Sequence, residues 1–456
     1  MFDKIKVMLL FPLLFTLSSH IHASSDVQNN HLKDKPNVII ILVDDAGFDD
    51  FGFQGSAHFD TPNIDKIATQ GMTFTEAYVS SNVCSPSRAG LLTGRYQQRF
   101  GMEKNMTRFP GDFARGIPTD EFTIAQHFQA SGYKTAAIGK WHVGYQQEFQ
   151  PNSKGFDYFF GLLGGHRTYF KHIENPKNIA DKYNYLQRNG EILPESNTEY
   201  VTNLLTDDAI EYITKNKHNP FFMYLSYTAV HTPMDAEPER LSNVPDEISN
   251  DRRRKLYAMT KSLDENVGKL TQALASMKLD KNTIIVFLND NGGPTSNASS
   301  NGKLRGTKGT HFQGGIRVPM AIKWPGHIQP ETSYHQRVSS LDLLPTLLAA
   351  TNTPYLAKQL PLDGVNLMPY IQQQKTEKPH KSLFFKFWSG RAHIKGDWKW
   401  LVAKIEQENG QKKAVEFLFN INSDPYETTN LIKQYPHIKN RLKSEWENWN
   451  KELIEL

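Results

Sequence analysis

Residues 38–43, Val-Ile-Ile-Ile-Leu-Val, form an unbroken apolar run that stops at Asp44 and Asp45. A strand with one wet face would alternate polar and apolar residues. A continuous run must be buried on both faces, which requires a sheet with layers packed above and below it. Short apolar runs recur at Thr135–Ile138, Phe221–Ser226, Thr283–Leu288 and Val318–Lys323. Between them, helical periodicity covers Thr61–Gln70, Thr123–Ala130, Asn203–Lys215, Arg254–Met277 and Leu341–Ala350. Alternating strands and helices predict an α/β fold, a large sheet sandwiched by helices.

After Asp363 the texture changes. Aromatic runs at Leu383–Trp388, Trp398–Ala403 and Glu416–Ile421 are broken by Gly-Arg, Gly-Asp and Asn-Gly turns. Hairpins fit these better than crossovers, so a smaller antiparallel sheet is expected. One amphipathic helix, His437–Leu453, would cover it. The boundary falls near residues 365–380 and is drawn between 370 and 371.

Composition narrows the function classes. With 52 basic and 48 acidic residues in 456, the formal charge is only +4, spread over a chain with many charges of both signs, which does not resemble a polybasic nucleic-acid binder. Mean hydropathy is -0.54, and the one strongly apolar segment, residues 7–19, is shorter than the ~20 residues of a membrane span. Lys4 and Lys6 precede that segment and Ala23, Ser24 and Ser25 follow it, the layout of a cleavable export signal. Residues 1–23 are therefore expected to be a signal peptide, 24–36 a flexible lead-in, and the mature protein periplasmic or secreted. Cys84 is the only cysteine, so no internal disulfide can form. An idle accessible thiol is vulnerable in an oxidising compartment, which favours a chemical role over an inert buried one.

In an open α/β sheet, ligands bind beyond the carboxyl ends of the strands. Polar residues gather there: Asp44 and Asp45, Asp290 and Asn291, Lys140 and His142, and His231. Two carboxylates at one strand end and an Asp-Asn pair at another suit a hard divalent cation, calcium or magnesium. Each pair alone is equally a turn after a strand. Lys140 and His142, two apart in an extended segment, would face one anion together; alone, they read as a solvated lysine and a surface histidine. Pro86 suits a first helical turn, which puts Cys84 at a helix N-terminus where an anion is favoured, with Arg88 one turn on.

The run Val83-Cys84-Ser85-Pro86-Ser87-Arg88-Ala89-Gly90-Leu91-Leu92-Thr93-Gly94-Arg95 resembles the signature of the formylglycine-dependent sulfatases, in the alkaline phosphatase superfamily. Further segments extend the likeness: Pro36–Asp45, Thr61–Asp65, Gly139–His142, Asp290–Gly293 and Arg305–Gly309. The resemblance implies an alkaline-phosphatase-like fold, a catalytic domain over 37–370 and an α+β subdomain over 371–456. It also implies a Cys84 converted to formylglycine by a formylglycine-generating enzyme, and one calcium ion held by Asp44, Asp45, Asp290, Asn291 and the modified Cys84. Arg88 would stabilise the hydrated aldehyde, and Lys140, His142, His231 and Lys308 would surround the sulfate.

In the mechanism so implied, the hydrate at position 84 attacks sulfur, with Asp290 taking its proton. His231, with Lys308 nearby, protonates the leaving alcohol, and His142 helps expel sulfate. Gln313 stands where many relatives carry Glu.

The Tyr96–Gly101 continuation resembles that of bacterial polysaccharide sulfatases, which points to a sulfated glycan, a carrageenan-like galactan first. His166 and Arg167, in a loop expected over Gly161–Tyr169, are substrate-contact candidates together with Asn105, Arg108 and Arg391. Three other readings compete. A phosphate or phosphonate ester hydrolase of the same superfamily would use the same anion site. A thiol hydrolase pairing Cys84 with His142 or His231 would need a free cysteine. A non-catalytic glycan-binding protein would leave the strand-end acids and bases unexplained.

Overall fold

The computed structural model describes residues 1, 35–106, 114–175, 177, 180–195, 198–358, 360–407 and 410–454. The expected signal peptide beyond Met1, most of the lead-in, and Arg108 lie outside the described residues. In chain order the strands are β1 (Asn37–Val43), β2 (Met72–Phe74), β3 (Ala77–Tyr78), β4 (Lys134–Lys140), β5 (Tyr158–Leu162), β6 (Gln187–Arg188), β7 (Glu191–Ile192), β8 (Phe221–Ser226) and β9 (Thr283–Asn289). They continue with β10 (Met320–Lys323), β11 (Thr332–Tyr334), β12 (Val338–Ser339), β13 (Ser382–Phe387), β14 (Gly390–Lys395), β15 (Trp398–Glu406) and β16 (Lys412–Asn420).

The large sheet has the order β11-β2-β10-β9-β1-β8-β4-β5-β6-β7. Its centre, β9-β1-β8-β4-β5, is parallel throughout. Strand β1 explains the layering. Val38, Ile40 and Leu42 point into one apolar layer and Ile39, Ile41 and Val43 into the other, every one of them fully buried. The first layer is closed by helices α2 (Cys84–Thr93), α3 (Ile124–Ala130) and α6 (Leu343–Ala350); the second by α1 (Pro62–Thr69), α4 (Val201–Asn216) and α5 (Asp251–Ser276).

The expected strands and helices are present, with ends shifted by a few residues. Thr123 starts α3 as an N-cap, with Gln126 completing a reciprocal capping box. Two expectations are corrected. Gly161 and Leu162, read as the start of a long loop, belong to β5, which pairs with β4 in parallel. The run at 318–323 begins as a strand only at Met320 and pairs antiparallel to β9.

The C-terminal sheet is four-stranded, β13-β14-β15-β16, and antiparallel. Strand β14 (Arg-Ala-His-Ile at its middle) lacks the aromatic run that marked its neighbours. One face of this sheet, including Leu383, Phe385, Leu401 and Phe419, packs on Tyr78, Phe312 and Ile316 of the larger unit. The other face carries α7 (Pro436–Asn450) through Leu442, Trp446 and Trp449. Glu427, held within the C-terminal unit by a buried ion pair with Lys399 Nζ at 2.6 Å, accepts from the Gln313 amide at 2.7 Å and so ties the two units together. Among the described residues no helix is long and apolar enough to cross a membrane.

Candidate active site

The carboxyl ends of β1, β4, β8 and β9 deliver the predicted residues to one place. Parallel register aligns Val43 with Asn289 and Leu42 with Ser226, so Asp44, Asp45, Asp290 and Asn291 emerge side by side. Helix α2 points its first turn at them. Cys84 Sγ lies 3.6 Å from Asp44 Oδ1 and 2.9 Å from Lys308 Nζ. Asp44 Oδ2 accepts from Lys140 Nζ at 2.6 Å, and Asp45 Oδ1 from Lys308 Nζ at 2.6 Å. His231 Nε2 stands 3.4 Å from Asp45 Oδ2.

Arg88 lies beneath this cluster, fully buried. Its Nε and Nη2 reach Asp290 Oδ2 at 2.9 and 2.8 Å, while Nη1 donates to the Lys140 carbonyl at 3.0 Å and to Ser226 Oγ. Gly139, just before Lys140, adopts φ +106, and a Cβ there would sit 1.9 Å from the Ser226 carbonyl oxygen. Only glycine lets β4 and β8 run this close beside the site.

Comparison with known proteins settles the family. The sulfatase family model matches residues 36–353. The chain belongs to the sulfatase family. A second model, N-sulphoglucosamine sulphohydrolase, C-terminal, matches residues 307–452. The sulfatase is 30% identical to arylsulfatase J of Mus musculus, across 92% of this chain and 76% of that protein. It is 34% identical to arylsulfatase A of Bos taurus, across 77% of this chain and 70% of that protein. Among solved structures, Ps i-CgsB in complex with k-i-k-neocarrahexaose superimposes with a TM-score of 0.84 at 35% identity, covering 92% of this chain and 94% of that one. The family makes this protein a sulfuric ester hydrolase with the α/β architecture described above.

Electrostatics of the sulfatase pocket follow from its burial. Burial pushes the Asp44 carboxyl up against the pull of Lys140, and burial together with Asp44 pushes up Asp290. Asp45 is held low because Lys308 and His231 outweigh its burial. For Cys84, burial opposes ionisation, but the Lys140 and Lys308 ammonium groups overcome it and bring the thiol down to about 7. Burial, reinforced by Lys140, keeps His142 neutral, its pKa well below 6.5. His231 moves the other way: burial disfavours its imidazolium, yet Asp45 and Asp44 raise its pKa.

The donor set fits a hard divalent cation. Asp290 Oδ1 and Asn291 Oδ1 are buried acceptors with no hydrogen-bond partner, and Asp44, Asp45, Cys84 and His231 each offer a ligand atom within 4.8 Å of the others. Orphaned buried oxygens are costly unless something electropositive meets them. Three carboxylates crowded at this point supply the charge.

The expectation that Lys140 and His142 share a face through extended geometry is corrected. His142 has φ +61, which turns the chain after β4. Its Nε2 meets the Met106 carbonyl at 3.0 Å, leaving Nδ1 without a partner.

Of the substrate candidates, His166 is at the site, its ring centroid 6.2 Å from that of His231. Arg167 is not available to a ligand. All its N–H groups are taken, by Glu195 at 2.7 and 3.2 Å and by the carbonyls of Thr168, Phe170 and Asn184. Asn105 uses its Oδ1 to accept from the Ser85 amide at 3.0 Å, fixing the start of α2. Arg391 lies on the face of the C-terminal sheet that carries α7, its guanidinium 5.2 Å from the Trp446 ring centroid.

Sequence reasoning missed Ser226, which holds Arg88, and Asn297. The Asn297 amide donates to the carbonyls of Asp45 and Val230 at 2.9 and 3.0 Å, binding two strand-end loops together. Neither stands in a motif that marks it. Both act on residues distant in sequence that only folding brings to them.

Proposed function

We propose that this sulfatase removes sulfate from a sulfated glycan, a carrageenan-like galactan first, using formylglycine at position 84 and one calcium ion. The observation that carries this reading is the convergence of Cys84 Sγ with Lys308 and Asp44 beside the orphaned oxygens of Asp290 and Asn291. The glycan class is supported by the likeness to Ps i-CgsB, whose structure holds k-i-k-neocarrahexaose.

Asp44, Asp45, Asp290 and Asn291, with residue 84, would hold the ion. When present, the ion supplies Lewis-acid polarisation and the hydrated aldehyde supplies the nucleophile. The chain's own residues do the rest. Arg88, Lys140 and Lys308 place three positive charges around the position of Cys84 Sγ, where they oppose the negative charge growing on a sulfuryl group. All three are fixed by carboxylates before substrate arrives, so little reorganisation accompanies the reaction.

The histidines divide the proton transfers. With its Nε2–H directed at the Met106 carbonyl, neutral His142 carries a free lone pair on Nδ1 and can accept a proton. His231, whose Nδ1 faces the Thr232 carbonyl at 2.5 Å, holds its second proton on Nε2 through Asp45 and Asp44, and can give it to a departing alcohol. This is the separation of acid from base that one active site needs.

Cys84 is 1% exposed and Arg88 fully buried, both within α2. A formylglycine-generating enzyme would therefore act before the chain folds. The export signal expected over residues 1–23 supports a matured protein that works in the periplasm or outside the cell.

Sulfate release from carrageenan-type oligosaccharides, glycosaminoglycan oligosaccharides and an aryl sulfate tests the substrate class. The reading expects turnover of a galactan member at a higher kcat/KM than any other class. Hydrolysis of the aryl sulfate with every glycan left intact would contradict it.

A further inference from the structure

Trp388 occupies a costly place. It is 66% exposed, and it is the one tryptophan among the exposed large apolar side chains of the described residues. It opens the two-residue turn, Trp388–Ser389, between β13 and β14, with Phe387 paired to Gly390 across the hairpin. Its φ is +54. In such tight hairpin turns the first position with positive φ favours glycine, and a bulky residue there is an outlier. Burial offers no compensation for an exposed ring. An unfavourable residue at an exposed tip directs attention to what the tip faces.

Two short segments of chain that touch the tip also reach the nucleophile. Lys104 places its ammonium 5.1 Å from the Trp388 ring centroid. Its neighbour Asn105 accepts from the Ser85 amide at 3.0 Å, one residue from Cys84. This side is braced by Lys386 Nζ on Glu103 Oε2 at 3.2 Å and by Gln98 Nε2 on the Lys386 carbonyl at 2.8 Å. On the other side, a Cβ on Gly390 would come within 2.8 Å of His311 Nδ1. His311 lies three residues beyond Lys308, whose Nζ is 2.9 Å from Cys84 Sγ. The hairpin tip thus bridges the two segments that flank the reacting position, and presents an aromatic face with a cation against it.

We propose that Trp388 and Lys104 form a subsite for the sugar next to the one whose sulfate is removed. Trp388 stacks on the apolar face of that sugar, and Lys104 meets a sulfate carried on it. This deepens the glycan reading and rests on it. The subsite selects a sulfated polymer over a small sulfate ester and takes no part in the chemistry.

The test compares kcat/KM on a carrageenan-type sulfated oligosaccharide with that on an aryl sulfate, for the parent enzyme and the variants W388A, W388G and K104A. Aromatic stacking of this kind commonly contributes a factor of about ten or more. W388A and W388G should each lose at least about tenfold more on the oligosaccharide than on the aryl sulfate, and K104A should lose more on a doubly than on a singly sulfated oligosaccharide. Glycine suits a φ of +54, so W388G should melt no lower than the parent while still losing the oligosaccharide.

Equal losses on both substrates, or undiminished use of the oligosaccharide, would overturn the subsite. A lowered Tm in W388G would make Trp388 a structural residue and overturn it as well. A parent enzyme that cleaves the aryl sulfate and no sulfated oligosaccharide refutes the glycan reading itself, before any variant is compared.

Discussion

Replacing Arg88 by Lys keeps the charge and removes the fork. In the parent, Nε and Nη2 converge on Asp290 Oδ2 at 2.9 and 2.8 Å, while Nη1 serves the Lys140 carbonyl and Ser226 Oγ. A lysine ammonium is a point donor and cannot serve Asp290 on one side and the β4 and β8 strand ends on the other. Arg88→Lys therefore leaves one or two buried acceptors unmet, at about 1–3 kcal/mol each. At ~2.1 cal/mol/K of unfolding entropy per residue, a total of about 3 kcal/mol lowers the Tm of a chain this long by only about 3 °C. Arg88→Ala also strands the buried Asp290 carboxylate, raising the loss to about 3–5 kcal/mol.

The kinetic effect should be larger. Loss of one preorganised charge-stabilising group costs about 10²–10³ in kcat. Differential scanning fluorimetry and initial rates on an aryl sulfate, at saturating calcium, separate the two effects. The reasoning is refuted if Arg88→Lys keeps more than about a tenth of kcat. It also fails if kcat per folded molecule is unchanged while Tm drops, since Arg88 would then be structural alone.

Two further outcomes follow from side chains outside the reaction. His380 Nε2 contacts both oxygens of Asp342 at 2.8 and 2.9 Å, between the large sheet and the start of β13. Burial opposes its imidazolium, but Asp342 prevails and raises the folded pKa above 6.5. The stability it contributes is complete below that unfolded value and is lost as pH rises through the folded pKa. H380Q should accordingly lower Tm at about pH 5.5 and much less at about pH 8.5; an equal drop at both would remove His380 as the cause. For Arg167, truncation to Ala leaves Glu195 with the His172 amide but without its ion-pair partner, so Tm should fall by about 3 °C at about 3 kcal/mol, with KM for any sulfate ester unaltered. A raised KM at constant stability would restore Arg167 as a substrate contact.

The layered α/β fold was legible because β1 is apolar on both faces, a pattern that only a doubly covered sheet accommodates. The strand-end acids were legible for the same reason: Asp44 and Asp45 follow directly on one apolar run, and Asp290 follows another after Asn289. Strands β5 and β14 were hidden. Gly161 and Gly164-Gly165 made the first look like a loop, and β14 places His393 and Arg391 where its neighbours carry aromatics. Side-chain roles that depend on partners distant in sequence were the least readable. Arg167 looked like an anion contact until Glu195, 28 residues on, claimed its guanidinium. His142 seemed to share a strand face with Lys140 because nothing local signals its positive φ. Trp388 looked like a strand residue, since a tryptophan is not what the first position of a tight turn favours.

The central claim is that residue 84 reaches the folded enzyme as an aldehyde and that this group carries the hydrolysis of sulfate esters. Mass spectrometry of the peptide spanning Cys84, taken from protein purified from a host with the maturation enzyme and assayed for sulfate release in the same preparation, addresses it directly. The account predicts a peptide in which the thiol has been exchanged for an aldehyde oxygen, reactive toward hydroxylamine, in proportion to the specific activity. Full activity in a preparation whose residue 84 is an unmodified cysteine would contradict it.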